Sequence, residues 1–138
     1  MSYIKAPLDN NTAFFVGGAD GDSGNRDSYC ASYFLDLTTK AWTPGPNMTH
    51  CRFYHTCSLI KNATSGDREI VVVGGFDQQR QGDCIFIQEV EIFNVDTMQW
   101  RNGEKCTVKR KEWQDGATNP AFVLTQYFAK IVKIADTS

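Results

Sequence analysis

Apolar residues in this chain come in short runs that stop at glycine pairs. Ala13–Val16 runs into Gly17-Gly18, and Ile70–Val73 runs into Gly74-Gly75. Runs of about four to eight apolar residues closed by turn signals read as buried strands. Residues 12–18 are therefore a strand, 19–28 (ADGDSGNRDS) a polar loop, and 31–37 a second strand. Residues 41–43 form a short edge strand around Trp42, broken by Pro44, Gly45 and Pro46. His55–Ile60 is the next strand and 61–68 the next loop. The cycle then restarts: strand 69–75, loop 76–82, strand 85–95 and an edge strand at Trp100. Short strands with turn signals every 8–12 or so residues predict an all-β fold. The unbroken run Ile70–Val73 predicts a strand covered on both faces, as when sheet stacks on sheet.

The restart is a repeat. Phe14-Phe15-Val16-Gly17-Gly18 overlays Val71-Val72-Val73-Gly74-Gly75 (17 to 74, an offset of 57), and Ser32–Trp42 overlays Val90–Trp100 (42 to 100, an offset of 58). A β-rich unit of this length is one member of a stacked or radial array, which needs roughly three or more members for stability. Two are legible here.

These residues resemble the kelch repeat family. The family pattern is a hydrophobic strand ending in Gly-Gly, an apolar residue followed by Asp, a Trp six residues later, then Pro-x-Met-x-x-x-Arg-x-x-His. This chain has Val16-Gly17-Gly18, Leu35-Asp36, Trp42, and Pro46, Met48, Arg52 and His55. The second copy has Val73-Gly74-Gly75, Phe93-Asn94 and Trp100, with Asn for Asp and without the Pro-Met-Arg-His stretch. The resemblance covers about residues 12–103. It implies a partial kelch-type β-propeller of about two four-stranded antiparallel blades, with repeats over about 12–60 and 69–103. Gly17, Gly18, Asp36, Trp42, Met48, His55, Gly74, Gly75, Phe93 and Trp100 are then framework, with glycines for close backbone approach and aromatics wedged between blades. Two blades do not close a ring of about four to eight. The chain is thus expected to be a fragment, to join further blades or to self-associate.

Residues 104–138 diverge from the repeat. Residues 119–135 read as a helix, capped at Asn119 with Pro120 in the first turn and a stripe of Leu124, Phe128 and Ile131. A strand over 122–132 is the competing reading.

The formal net charge of −2 gives no attraction to nucleic acid. No apolar run approaches the ~20 residues of a membrane span. The opening MSYIKAPLDNNT carries no leader-like apolar core. The 5 cysteines are an odd number, and three sequons, at Asn10, Asn47 and Asn62, are candidate N-glycosylation acceptors. Both features lean towards a secreted protein.

Candidate chemistry is thin. His50-Cys51-x-x-x-His55-x-Cys57 lacks the paired spacing of structural zinc sites. The series Asp20, Asp22, Gly24, Asn25 and Asp27 fails as a calcium loop, with Asn25 where glycine is needed and Ala31 where glutamate is needed. Gly17–Gly21 lacks the ending of a phosphate loop. Some enzymes resembling kelch propellers use copper with Tyr and His ligands, for which 2 histidines are too few. No catalytic residue, metal or cofactor is assigned, and the chain is expected not to be an enzyme. The loops between second and third strands (19–28, 76–83) and between the units (44–54) share a face. The expected partner is another protein, held there by Asp20, Asp22, Asn25, Arg26, Arg52, Phe53, Tyr54, Asp77, Gln78 and Arg80. The alternatives are an extracellular disulfide- and glycan-bearing adhesion module, or a metal-dependent enzyme on the same scaffold.

Overall fold

A computed structural model of the chain describes residues 4–7, 11–22, 25–80 and 82–105. The expected helix over 119–135 and its competing strand lie outside these residues, as does Asn10.

The described part is all-β and built from antiparallel sheets. Sheet I takes β1 (Ile4–Pro7), β2 (Thr12–Val16), β5 (Ser32–Asp36) and β6 (Trp42–Gly45) in that spatial order. Sheet II takes β7 (Thr56–Lys61), β8 (Arg68–Val73), β11 (Glu91–Asn94) and β12 (Gln99–Asn102), again neighbour to neighbour. Between the second and third strands of each sheet sits a small hairpin: β3 (Ala19–Asp22) with β4 (Asn25–Ser28), and β9 (Phe76–Asp77) with β10 (Ile85–Phe86).

Several elements differ from the sequence reading. β1 lies upstream of the repeat, where a single Ile-Lys-Ala-Pro stretch gave no apolar run. The strand before Lys61 opens sheet II, so each sheet borrows its first strand from before its own glycine pair. Residues 19–28 are not a free loop: Ala19 pairs with Ser28 and Asp22 with Asn25 in a polar hairpin. The expected strand 85–95 is split, because Ile85 and Phe86 pair with β9 while Glu91–Asn94 pairs with β8 and β12.

The last hairpin of each sheet is the same device. The Asp36 carboxylate accepts from the backbone N–H of Thr38 and Thr39 at 2.9 and 3.0 Å. Asn94 Oδ1 accepts from Asp96 and Thr97 at 2.9 Å each. Both turns close with a residue at positive φ, Lys40 and Met98. Asparagine therefore preserves the turn, because only the shared side-chain oxygen is used.

Strand alternation places the core. Phe14, Val16 and Phe34 leave one face of sheet I and meet Ile70, Val72, Phe93 and Trp100 of sheet II, with Met48 from the connection between the sheets. The Phe14 and Phe93 rings stack at 5.1 Å. The other face of sheet II carries Ile60, Val71, Val73, Val90 and Ile92, also buried. Ile70–Val73 is thus covered on both faces, as its unbroken apolar run requires. Each such side chain contributes about 1.5–3 kcal/mol through burial.

Candidate partner-binding loop face

The connection Pro46–His55 crosses from sheet I to sheet II and threads between the two glycine pairs. Gly18 N–H donates to Arg52 O at 2.8 Å, and Phe53 and Phe76 exchange two backbone hydrogen bonds at 2.9 Å. The Cys30–Cys51 disulfide, spanning 21 residues, ties this connection to the chain leaving β4. Closing a ring of that size stabilises by about 3 kcal/mol on the chain-entropy account. Replacing both cysteines by serine is expected to lower the unfolding free energy by about that amount, read from urea titrations.

The two inter-strand connections also brace each other. Ser28 and Gln78 exchange backbone and hydroxyl hydrogen bonds at 2.8–3.0 Å. Arg80 donates its backbone N–H to Asp27 at 3.0 Å and its Nε to the same carboxylate at 2.9 Å. Arg26 lies over the Phe53 and Tyr54 rings at 5.2 and 5.1 Å, and its Nη2 donates to the Tyr54 hydroxyl at 3.0 Å. Tyr54 holds a positive φ of 56° while 54% exposed. The Tyr29 hydroxyl, bonded to Asp20, is raised above the usual tyrosine range by that bond first and by burial second.

These connections bring the expected loop residues to one end of the two sheets, at two depths. Asp20, Asn25, Tyr54 and Arg80 are exposed, and Arg26 and Asp77 half-buried. Asp22 ends β3. Arg52, Phe53 and Gln78 are buried. Phe53 is the floor beneath Arg26, and Gln78 joins the two hairpins.

Arg52 is wholly buried. It donates to Gly74 O at 3.0 Å, to Glu89 O at 2.9 Å and to the Glu91 carboxylate at 2.8 Å. Burial lowers its pKa, and the Glu91 hydrogen bond and charge oppose that shift. Glu91 also accepts from the backbone N–H of Thr49 and His50 at 2.7 and 3.2 Å. The residue reading missed Glu91. Its signal is a lone carboxylate between Val90 and Ile92, at a strand position that faces inward.

His55 is 2% exposed, and neither ring nitrogen has a partner in hydrogen-bonding geometry. Burial, then the Arg52 charge, pulls its pKa from 6.5 to about 4, against a smaller opposing effect of the Val16 carbonyl. Since the folded value lies below the unfolded one, the unfolded chain binds the proton first as pH falls. Stability is therefore lost from about pH 6.5 down to about pH 4. Between pH 7 and pH 5 the loss attributable to His55 is about 2 kcal/mol. A His55→Gln variant is expected to flatten the urea-midpoint profile over that window; an unchanged slope excludes His55 as its source.

Cys51 lies in the disulfide. Cys57 is a core residue whose thiol burial pushes up to about 12. Among the described residues no three His, Cys, Asp or Glu side chains gather as metal ligands. None of the described elements is a helix long and apolar enough to cross a membrane. Asn47 is exposed, whereas the Asn62 amide is committed at both ends: Oδ1 accepts from Thr64 and Ser65, and Nδ2 donates to Glu69.

No family model matches the chain, and no curated protein matches it. The fold is shared with part of a solved enzyme. That structure is a novel fungal alcohol oxidase with catalytic diversity among the AA5 family, in complex with copper. The TM-score is 0.64 at 22% identity, over 80% of this chain and 23% of the oxidase chain. This chain thus corresponds to under a quarter of that enzyme. The likeness corrects the expectation that the chain is not an enzyme, because this strand arrangement forms part of a copper oxidase. The expectation rested on missing catalytic motifs, which say nothing about a likeness of fold, and that likeness extends over only 23% of the oxidase chain. At this identity the fold alone is shared. Among the described residues no three His, Cys, Asp or Glu side chains gather to hold copper, so no step through copper is derived.

Proposed function

We propose that sheets I and II are two blades of a kelch-type β-propeller that bind a protein partner through the braced loop face. The observation that carries this reading is the pairing of exposure with rigidity at Tyr54 and Arg80, beside the half-buried Arg26. Arg26 is clamped on two aromatic rings, Tyr54 is held at positive φ, and Arg80 is anchored to Asp27 while 83% exposed. Arginine and tyrosine pre-held in one geometry lose little entropy on binding, which is what interface anchors require. The blade reading is supported by two meander sheets with matching turns, stacked face to face, and by the ordered motif in both. Further blades, or association of copies, would extend the pair towards a ring.

The test is a photo-crosslinking residue at Tyr54, with one at Thr39 on the opposite end as control. A protein captured from Tyr54 and not from Thr39, and lost in an Arg26→Ala/Arg80→Ala variant, supports the reading. Equal capture from both positions refutes it.

A second reading concerns location. The Cys30–Cys51 disulfide and the exposed Asn47 sequon support an extracellular setting. A glycan at Asn47 in protein secreted from eukaryotic cells, found by mass spectrometry, would support it.

A further inference from the structure

The connection between the sheets holds a histidine that its neighbours do not satisfy. His55 fills the space left by the missing side chain of Gly17: a carbon added there would lie 2.7 Å from its Cε1 and 3.3 Å from its Nε2. A carbon added to Gly75 would lie 3.0 Å from its Cβ. Both ring nitrogens are buried without a partner in hydrogen-bonding geometry. A proton added in place meets no carboxylate, and among the described residues only the Val16 carbonyl favours it. Arg52, on the same segment, repels the protonated ring. Glu91 of β11 is committed to Arg52, which also feels Glu89 and Asp77 of β9. His50 lies 3.7 Å from the same Glu91 carboxylate. On β7 the Cys57 thiol stays neutral, pushed up to about 12 by burial. Tyr29, whose carbonyl takes the Arg52 amide, stays protonated beside Asp20.

The segment that carries this histidine is short and separately anchored. Cys51 is fixed by the disulfide to Cys30, and Thr56 begins β7, paired with Val73. Residues 52–55 between them are held by backbone bonds to Gly18, Tyr29 and Phe76. The ladders of the two sheets and the Phe14–Phe93 stack run outside these four residues. Tyr54 stands at a positive φ of 56°, a strained conformation for a non-glycine residue that is relieved when the segment lets go. The same residues build the loop face, because Phe53 and Tyr54 are the rings under Arg26. Displacing His55 therefore moves the platform.

We propose that acid opens the connection 52–55 locally while both sheets stay folded, and that the opening takes Tyr54 away from Arg26. An opened His55 reaches water and takes up a proton that its closed position opposes, so falling pH favours the open segment. The loop face then holds its partner at neutral pH and releases it in acid. That last consequence rests on the loop-face reading above, and the opening itself does not.

The test is hydrogen exchange of the full chain, read amide by amide at pH 7 and pH 5 and corrected for the intrinsic pH dependence of exchange. The amides of Gly18, Phe53 and Phe76 are expected to open more readily than the ladder amides of β8 and β11. With the His55 values of 6.5 unfolded and about 4 folded, their opening constant should rise about twentyfold from pH 7 to pH 5. His55→Gln is expected to remove that rise, and His50→Gln to leave it. Equal opening of connection and ladder amides at both pH values overturns the proposal, because acid then acts only through global unfolding. That comparison needs no variant, so it stands even where His55→Gln fails to fold. A rise that survives His55→Gln, or vanishes in His50→Gln, also overturns it. Capture of a partner at Tyr54 plays no part in the readout, which keeps failure here distinct from failure of the loop-face reading.

Discussion

Replacing Glu91 by alanine is expected to cost about 4 kcal/mol of stability, the usual cost of breaking a buried ion pair on one side. The guanidinium of Arg52 is 0% exposed, and its Nε already lacks a partner. Removing the carboxylate leaves a buried cation held only by the Gly74 and Glu89 carbonyls. It also removes the acceptor of the Thr49 and His50 amides, which fix the connection on sheet II. For a chain of this size the Tm should fall by on the order of 15 °C. A double replacement, Arg52→Met with Glu91→Leu, removes charge and counter-charge together and should recover most of the loss. The pair would then owe its place to fixing the path of the connection. A single Glu91→Ala variant within about 1 kcal/mol of the parent in urea would show that Arg52 reaches water, contrary to the burial seen here.

The contrast between Glu91 and the strands explains what was legible in the sequence. Ile70–Val73 announced a doubly covered strand because hydrophobic pattern is a local signal, and the structure buries all four residues. The glycine pairs, Asp36 and the two tryptophans were legible as an ordered set. Even Asn94 fits, because its side-chain oxygen makes the turn that aspartate makes. What stayed hidden is non-local. β1 has a composition, Ile-Lys-Ala-Pro, that means nothing until β2 is beside it. The hairpin β3–β4, Ala-Asp-Gly-Asp against Asn-Arg-Asp-Ser, is made mostly of poor strand formers. It is held in place from outside, by Gln78 and Arg80 of the other connection. Of the loop residues, Arg52 and Phe53 look like interface anchors by type. Only the crossing of the connection between the sheets buries them. Trp42 and Trp100 are indistinguishable in the sequence, yet Trp42 is 53% exposed while Trp100 packs on Phe14 and Phe93, a difference set by which flank has a neighbour.

The glycine pairs make the second large prediction. Gly75 sits at φ +87°, and a Cβ there would lie 2.5 Å from Phe53 O, 3.0 Å from His55 Cβ and 3.1 Å from His55 N. All three atoms belong to the backbone or its first carbon, so no rotamer change relieves the contact. Gly75→Ala therefore combines left-handed strain with a clash and is expected to cost about 4 kcal/mol. Gly66→Ala isolates the first effect. Gly66 has φ +75° with nothing within 4 Å of the added carbon, so its cost should be about 1 kcal/mol. Gly17 presses on the same segment from sheet I, its added Cβ lying 2.6 Å from Arg52 O and 2.7 Å from His55 Cε1. The two glycines thus face each other across one strand of chain, residues 52–55. Once either substitution has displaced that strand, the second meets less resistance. The double variant should therefore lose less than the sum of the two single losses, with a coupling of about 1 kcal/mol or more in urea titrations. Strict additivity would mean that each sheet yields on its own side and that the connection is not shared between them.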